Sequence, residues 1–204
     1  MNKIEFDRIG VDGNTYSQEK IEKHFCSNFE RKIADRLKLI TATGLADKMV
    51  GIIKNHLHKL LFAPPILLDY WRVLVDRYRN VLSNNVLFNG NKMRLDKALL
   101  NAFYYENYRK RKGMFLLAKM LNVKSCPYCN MHYTLYAENK DGKKRYAKLQ
   151  FDHFIDKASY PMFSMSLYNL IPSCGVCNNS KKNQVLSLAY HPYYADIHRN
   201  FYLK

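Results

Sequence analysis

Two Cys-x-x-Cys pairs, Cys126/Cys129 and Cys174/Cys177, stand far apart in the chain with Asp152-His153 between them. The two thiolates of such a pair close on one metal with little backbone strain. Two pairs complete a tetrahedral four-sulfur site with Zn–S near ~2.3 Å. A thioredoxin-like redox pair would explain one motif but not its repetition, so the spacing predicts a structural zinc. Such an ion would tie the start of a hairpin to the last helix. Zinc-finger peptides gain an apparent ~10–16 kcal/mol from their metal at neutral pH, enough to decide whether a small unit folds. The fifth cysteine, Cys26, falls on the apolar stripe of an N-terminal helix and reads as a small buried side chain.

The residues inside the clamp suit hydrolysis of a phosphodiester. That reaction needs a base to take a proton from water and a divalent cation to neutralise the scissile phosphate and the leaving oxygen. An imidazole titrates near neutral pH, which fits His153 to the first task. Asp152 offers the hard oxygen that magnesium or manganese prefers. Neighbouring strand residues point to opposite faces, so base and cation would approach the phosphorus from different sides. Asn169, in Asn169-Leu-Ile-Pro-Ser-Cys174, and Asn178, directly after Cys177, complete the set. Each has a plainer reading: Asn169 as a turn residue, Asn178 as a helix cap, Asp-His as a chance dipeptide. Their common setting beside two correctly spaced cysteine pairs is what favours chemistry.

Over roughly residues 122–190 this arrangement resembles the HNH, or ββα-metal, nucleases, in the branch that carries a four-cysteine zinc. Asp152-His153 matches the family's acidic residue and first His. Asn169 matches its central Asn, and Asn178 falls where the last His stands. The resemblance implies His153 as general base, Asp152 and Asn178 as ligands of a catalytic cation, and Asn169 as the brace of the loop that orients His153. Asn in the last position is a known substitute in the family. An amide oxygen there shifts preference toward Mg²⁺ or Mn²⁺ and away from zinc or nickel; Asn179 is its rival for the ligand role. The resemblance further implies products with 3′-hydroxyl and 5′-phosphate ends, a grip on backbone near the minor groove, and weak sequence preference. Small proteins of this kind resemble components of bacterial antiviral defence, sometimes paired with an ATPase.

These residues must be held by two kinds of structure. Before residue 122 the pattern is helical: Ile21, Phe25, Phe29, Ile33 and Leu37 recur every four residues after a candidate N-cap at Ser17, with Gly44 as a C-cap. A second helix is expected from Leu45 to Leu61, stopped by Pro64-Pro65, and a third from Ile66 to Leu82. Ser83-Asn84-Asn85 and Asn89-Gly90-Asn91 read as breakers. A fourth helix is expected from Arg94 to Leu121, divided at Gly113. After Leu121 the alternation of Met131–Ala137 and Tyr146–Phe151 around Asp141-Gly142 predicts a β-hairpin with Asp152-His153 at the end of its second strand. A helix from Asn178 to about Leu188 follows. Residues 1–16 read as an extended arm or hairpin, and 196–204 as a strand. The expected fold is α+β: a helical region over 1–121 for substrate or partner recognition, then a zinc-stapled ββα unit over 122–204.

The 204-residue chain carries a formal net charge of +16 with 48% hydrophobic residues, the composition of a basic globular protein. Such charge favours polyanions through sequence-blind, salt-sensitive phosphate contacts. Lys144, Arg145, Lys157, Lys181 and Lys182 flank the proposed site and are the candidate contacts, within a wider set that includes Lys140, Lys143 and the run Arg109-Lys-Arg-Lys112. No apolar run approaches the ~20 residues of a membrane span, and the N-terminus lacks a signal-peptide core, so the expected location is cytoplasmic. No base-reading motif is present. The expected substrate is DNA, with RNA as the alternative substrate. A non-catalytic zinc ribbon that binds nucleic acid or protein is the reading from a different class. His132 and His191 read as packing or surface residues.

Overall fold

A computed structural model describes residues 3–4, 16–109, 112–139, 145–184 and 186–194. Most of the expected N-terminal arm, the Asp141-Gly142 turn, the closing strand and Lys110, Arg111, Lys140, Lys143 and Lys144 lie outside the described residues.

Ser17 caps α1 (Gln18–Phe25), its side chain accepting from the Lys20 N–H. The apolar repeat that follows is exactly four residues long, whereas a 3.6-residue turn would rotate such a stripe by about 40° at each step. A π-helical turn at Cys26–Glu30 takes up the surplus before α2 (Arg31–Leu37). The stripe thus stays on one face: Ile21, Phe25, Ile33 and Leu37 are buried and Phe29 packs against them.

The second expected helix is two, α3 (Gly44–Asn55) and α4 (Leu57–Phe62), with His56 at φ −114° between them. Gly44, at φ +60°, opens α3 rather than closing the preceding helix. Pro65 begins α5 (Pro65–Asp76), where its fixed φ suits the first turn.

The helical region also contains a sheet. Strand β1 (Ile40–Thr41) pairs with β2 (Asn85–Phe88), which pairs with β3 (Asn91–Arg94), all antiparallel. Asn89-Gly90 is therefore not merely a breaker. It is a two-residue hairpin loop with φ +50° and +80°, the geometry that matches strand twist and selects Asn-Gly.

The fourth expected helix is divided: α6 (Leu95–Phe103) is followed by α7 (Tyr105–Arg109) and, on the far side of residues 110–111, by α8 (Lys112–Leu121). The first division lies at Tyr104, in the left-handed region at φ +64°, and not at Gly113, which lies inside α8. The Arg36 guanidinium covers the Tyr104 ring at 4.6 Å, a contact that favours a tyrosine at this strained position.

Beyond α8, β4 (Tyr136–Glu138) and β5 (Arg145–Ala147) form the expected hairpin, shorter than the alternation suggested. The strand bearing Asp152-His153, β6 (Gln150–His153), does not belong to it. It pairs antiparallel with β7 (Leu170–Ser173), Asp152 opposite Ile171 and His153 opposite Leu170. Helix α9 (Gly175–Lys181) follows at once, starting and ending earlier than expected. The chain is thus α+β, with small antiparallel sheets among helices.

Buried side chains on both sides of residue 121 join one core: Phe25, Leu61, Leu99 and Phe103 with Met162, Phe163, Leu170 and Ile171. Polar links cross it as well, Tyr160 Oη donating to Asp76 at 2.6 Å and Ser166 Oγ to the Leu60 carbonyl. Among the described residues no helix is long and apolar enough to cross a membrane.

Replacing Gly90 by alanine tests the hairpin loop. Apart from its chain neighbours, no atom lies within 4 Å of the added Cβ, so the φ of +80° is what opposes it. The variant is expected to lose about 1 kcal/mol of stability, read as a lower urea midpoint at unchanged slope.

Candidate functional site

The four sulfurs of Cys126, Cys129, Cys174 and Cys177 lie within 4.8 Å of one another. The first pair forms a tight knuckle: the Asn130 N–H donates to the Cys126 carbonyl at 2.8 Å, and Asn130 takes a left-handed φ of +55°. The second pair is built into a helix start, Cys174 capping α9 and its sulfur accepting from the Cys177 N–H at 3.4 Å. Burial, followed by the neighbouring sulfurs, pushes the Cys177 thiol well up. Cys129 is half-buried, which opposes ionisation, but a hydrogen bond from His132 and backbone donors outweigh it and pull the thiol down to about 6. Four thiols this close cannot all ionise unaided; a thiophilic cation such as zinc removes the conflict. His132, expected only to pack or face solvent, is exposed, and its Nδ1 lies 3.5 Å from Cys129 Sγ.

Because α9 starts at the cluster, one of its faces lies along β6. Asn178 and Lys181, one turn apart on the helix, reach Gln150 and Asp152, two apart on the strand. Asn178 Nδ2 donates to Gln150 Oε1, which leaves Oδ1 as the atom with which Asn178 can meet a cation. Lys181 Nζ lies 3.2 Å from Asp152 Oδ2 and donates to the His153 carbonyl at 2.8 Å. A second side-chain donor to Asp152 is Tyr128, its hydroxyl 2.6 Å from Oδ2. At 3% exposure, burial pushes the Asp152 carboxyl above its ordinary range, while Lys181 and Tyr128 oppose the rise.

His153 points to the opposite face of β6. Its Nε2 lies 3.0 Å from the Ser164 carbonyl, and its ring meets Tyr105 of α7 edge to face at 4.3 Å. A carbonyl only accepts, so Nε2 must carry the proton, and Nδ1 is left with the lone pair. The imidazole is 9% exposed and, chiefly through burial, is held neutral with its pKa pulled down to about 3.

Asn169, fully buried, holds the loop that supplies Ser164. Its Oδ1 accepts from the Ile155 N–H at 2.7 Å; its Nδ2 donates to the carbonyls of Ile155 and Phe163 at 3.0 and 2.9 Å. Asn169 thus links the backbone at Ile155 to that at Phe163.

The basic residues divide. Lys181, expected to meet phosphate, is buried and committed to Asp152 and the His153 carbonyl. Lys157 pairs with Glu106 and lies 4.2 Å over the Tyr105 ring, so α7 contributes to the wall beside His153. Lys182 is exposed. Arg145 is placed by its backbone in β5, opposite Glu138. Lys144 lies outside the described residues. Tyr128, Tyr105 and Gln150 were not singled out from sequence, although Tyr128 stands inside the first Cys-x-x-Cys pair. His191 packs as expected, buried 4.2 Å from the Phe154 ring.

Over 47 residues the chain is 47% identical to protein ea31 of Escherichia phage lambda, a stretch amounting to 21% of this chain and 16% of the phage protein. No family model matches the chain, and no solved structure matches it.

Asn169→Ala would strand one buried N–H and two buried carbonyls. A loss of roughly 3 kcal/mol or more is expected, measured by chemical denaturation.

Proposed function

We propose that the chain is a metal-dependent endonuclease of the HNH type, hydrolysing DNA phosphodiesters, with zinc in its four-cysteine cluster. The observation that carries this reading is the state of His153. Its Nε2–H is tied to a carbonyl, its Nδ1 keeps the lone pair, and the loop that fixes it is braced by Asn169. A fixed tautomer with a lone pair on Nδ1 is what a general base requires; the burial that holds the ring neutral also makes it a weaker base than an exposed imidazole.

In this reading Nδ1 of His153 takes the proton of the water whose oxygen bonds to phosphorus, the bond to the 3′-oxygen breaks, and that oxygen takes up a proton from solvent, leaving 3′-hydroxyl and 5′-phosphate ends. Asp152 and Asn178 present hard oxygens from the α9 side, a donor set suited to Mg²⁺ or Mn²⁺. The cation they would hold supplies charge neutralisation at the phosphate. Lys181 already places a positive charge against Asp152. On loading it would either share the carboxylate with the cation or yield it. The net charge of +16 and the exposed Lys182 support a polyanionic substrate.

The second reading, a non-catalytic zinc module, is favoured by one specific observation. Asp152 is 3% exposed, and its charge is already met by Lys181 and Tyr128.

Incubation with supercoiled plasmid, with Mg²⁺ or Mn²⁺ against chelator, separates the two. Divalent-dependent nicking is expected, reduced ~10²–10⁴-fold in His153→Ala while DNA binding persists. Retained cleavage in that variant removes His153 from its role; binding without cleavage in any divalent ion selects the second reading. A parallel RNA substrate distinguishes the nucleic acid. Metal analysis of purified protein is expected to find about one tightly held zinc per chain, lost together with cooperative unfolding in Cys174→Ser.

A further inference from the structure

The π-helical turn that keeps the N-terminal stripe in register has a second consequence. It begins at Cys26 and ends at Glu30, and π turns of a single repeat concentrate at functional sites. Packed against it is α4, whose second residue is His58. Cys26 Sγ lies 4.0 Å from His58 Nδ1, and His58 Nδ1 lies 3.2 Å from Glu30 Oε2. All three donor atoms fall within 4.8 Å of one another.

An ion bound at ~2.0–2.3 Å to each of three ligands with tetrahedral angles needs donors about 3.3–3.8 Å apart. Two of the separations, 3.2 and 4.0 Å, bracket that range, and the third is no more than 4.8 Å. Two of the atoms come from the ends of the π turn and the third from another helix. They are also three different ligand types: sulfur, imidazole nitrogen and carboxylate oxygen. Zinc accepts this mixture, whereas magnesium and calcium do not seek sulfur or imidazole. The His58 ring is steadied by Phe62 at 4.9 Å, leaving Nδ1 directed at the pair. With the His58 side chain 66% exposed, a fourth position opens to solvent.

We propose that Cys26, Glu30 and His58 form a second, open metal site that takes zinc or a similar borderline divalent ion through Sγ, a carboxylate oxygen and Nδ1. The ion replaces the thiol proton, which passes to solvent, and water completes the coordination. The bound ion ties the α1–α2 rod to α4, on elements distinct from those bearing the cysteine pairs. The site is independent of the nuclease reading, and its test does not use activity.

Zinc is titrated calorimetrically into the full-length protein as purified, after its tightly held metal has been counted. The wild type is expected to take up one further equivalent. His58→Ala and Cys26→Ser should each weaken that uptake ~100-fold or more, while the tightly held metal per chain stays unchanged. Because His58 is largely exposed, its alanine variant is expected to keep the wild-type circular dichroism and melting temperature. Cobalt(II) in place of zinc should give a thiolate-to-metal absorption band that Cys26→Ser abolishes. No further equivalent in the wild type, or uptake by both variants equal to that of the wild type, overturns the site.

Discussion

The convergence of four sulfurs within 4.8 Å is the constraint from which the C-terminal geometry follows. The first pair sits on a knuckle after α8; the second opens α9. Bringing them together fixes where α9 begins, and a helix of seven residues has little freedom beyond that. Its inward face then has to lie on β6. Asn178 and Lys181 recur at helical spacing and Gln150 and Asp152 at strand spacing, so two periodicities of the chain are matched side chain to side chain. The convergence adds to the β6–β7 pairing and to these two side-chain contacts in holding so short a helix against so short a strand.

The two faces of β6 solve opposite electrostatic problems. On the α9 side a carboxylate is taken almost wholly out of water, which is costly unless charge and hydrogen bonds return. Lys181 supplies the charge, and Tyr128 supplies a hydrogen bond. On the other side an imidazole is buried and cannot be charged cheaply, so it stays neutral and gives its one proton to the Ser164 carbonyl. Placing an ion pair and a neutral base on adjacent residues needs the strand alternation. A helix would have put both side chains within the same environment. The arrangement also gives Asp152 a partner that any incoming cation would have to displace or join.

Much of this was legible in the chain, and the failures have physical causes. The cysteine spacing, the Ser17 cap and the four-residue stripe each rest on a local rule, and each is observed. The π turn was implicit in the stripe, since a strict repeat of four cannot stay on one face of a 3.6-residue helix. The Asn89-Gly90 hairpin was missed because strong helical periodicity on both sides made it read as punctuation, although Asn-Gly is the usual mark of a two-residue loop. The pairing of β6 was misread for a different reason. Its partner, Leu170-Ile-Pro-Ser, is short, contains proline and lies well along the chain, whereas the alternating segment just before it offered a local hairpin. The burial of Lys181 could not be read from sequence, because a lysine after a cysteine pair resembles a solvated one until the carboxylate opposite it is known.

The N-terminal helices take part in the site directly. Tyr105 donates to the Phe151 carbonyl at 3.2 Å and lays its ring against His153, and Glu106 on the same helix holds Lys157. Met162 and Phe163, which flank Ser164 on the loop braced by Asn169, are buried in the core that Leu99 and Phe103 share. The carbonyl that fixes the tautomer of His153 is therefore positioned by packing against α6 as well as by Asn169. A change of sequence character at residue 121 marks where helices give way to short strands, but the core is continuous across it. Whatever His153 does, its orientation is a property of both halves of the chain.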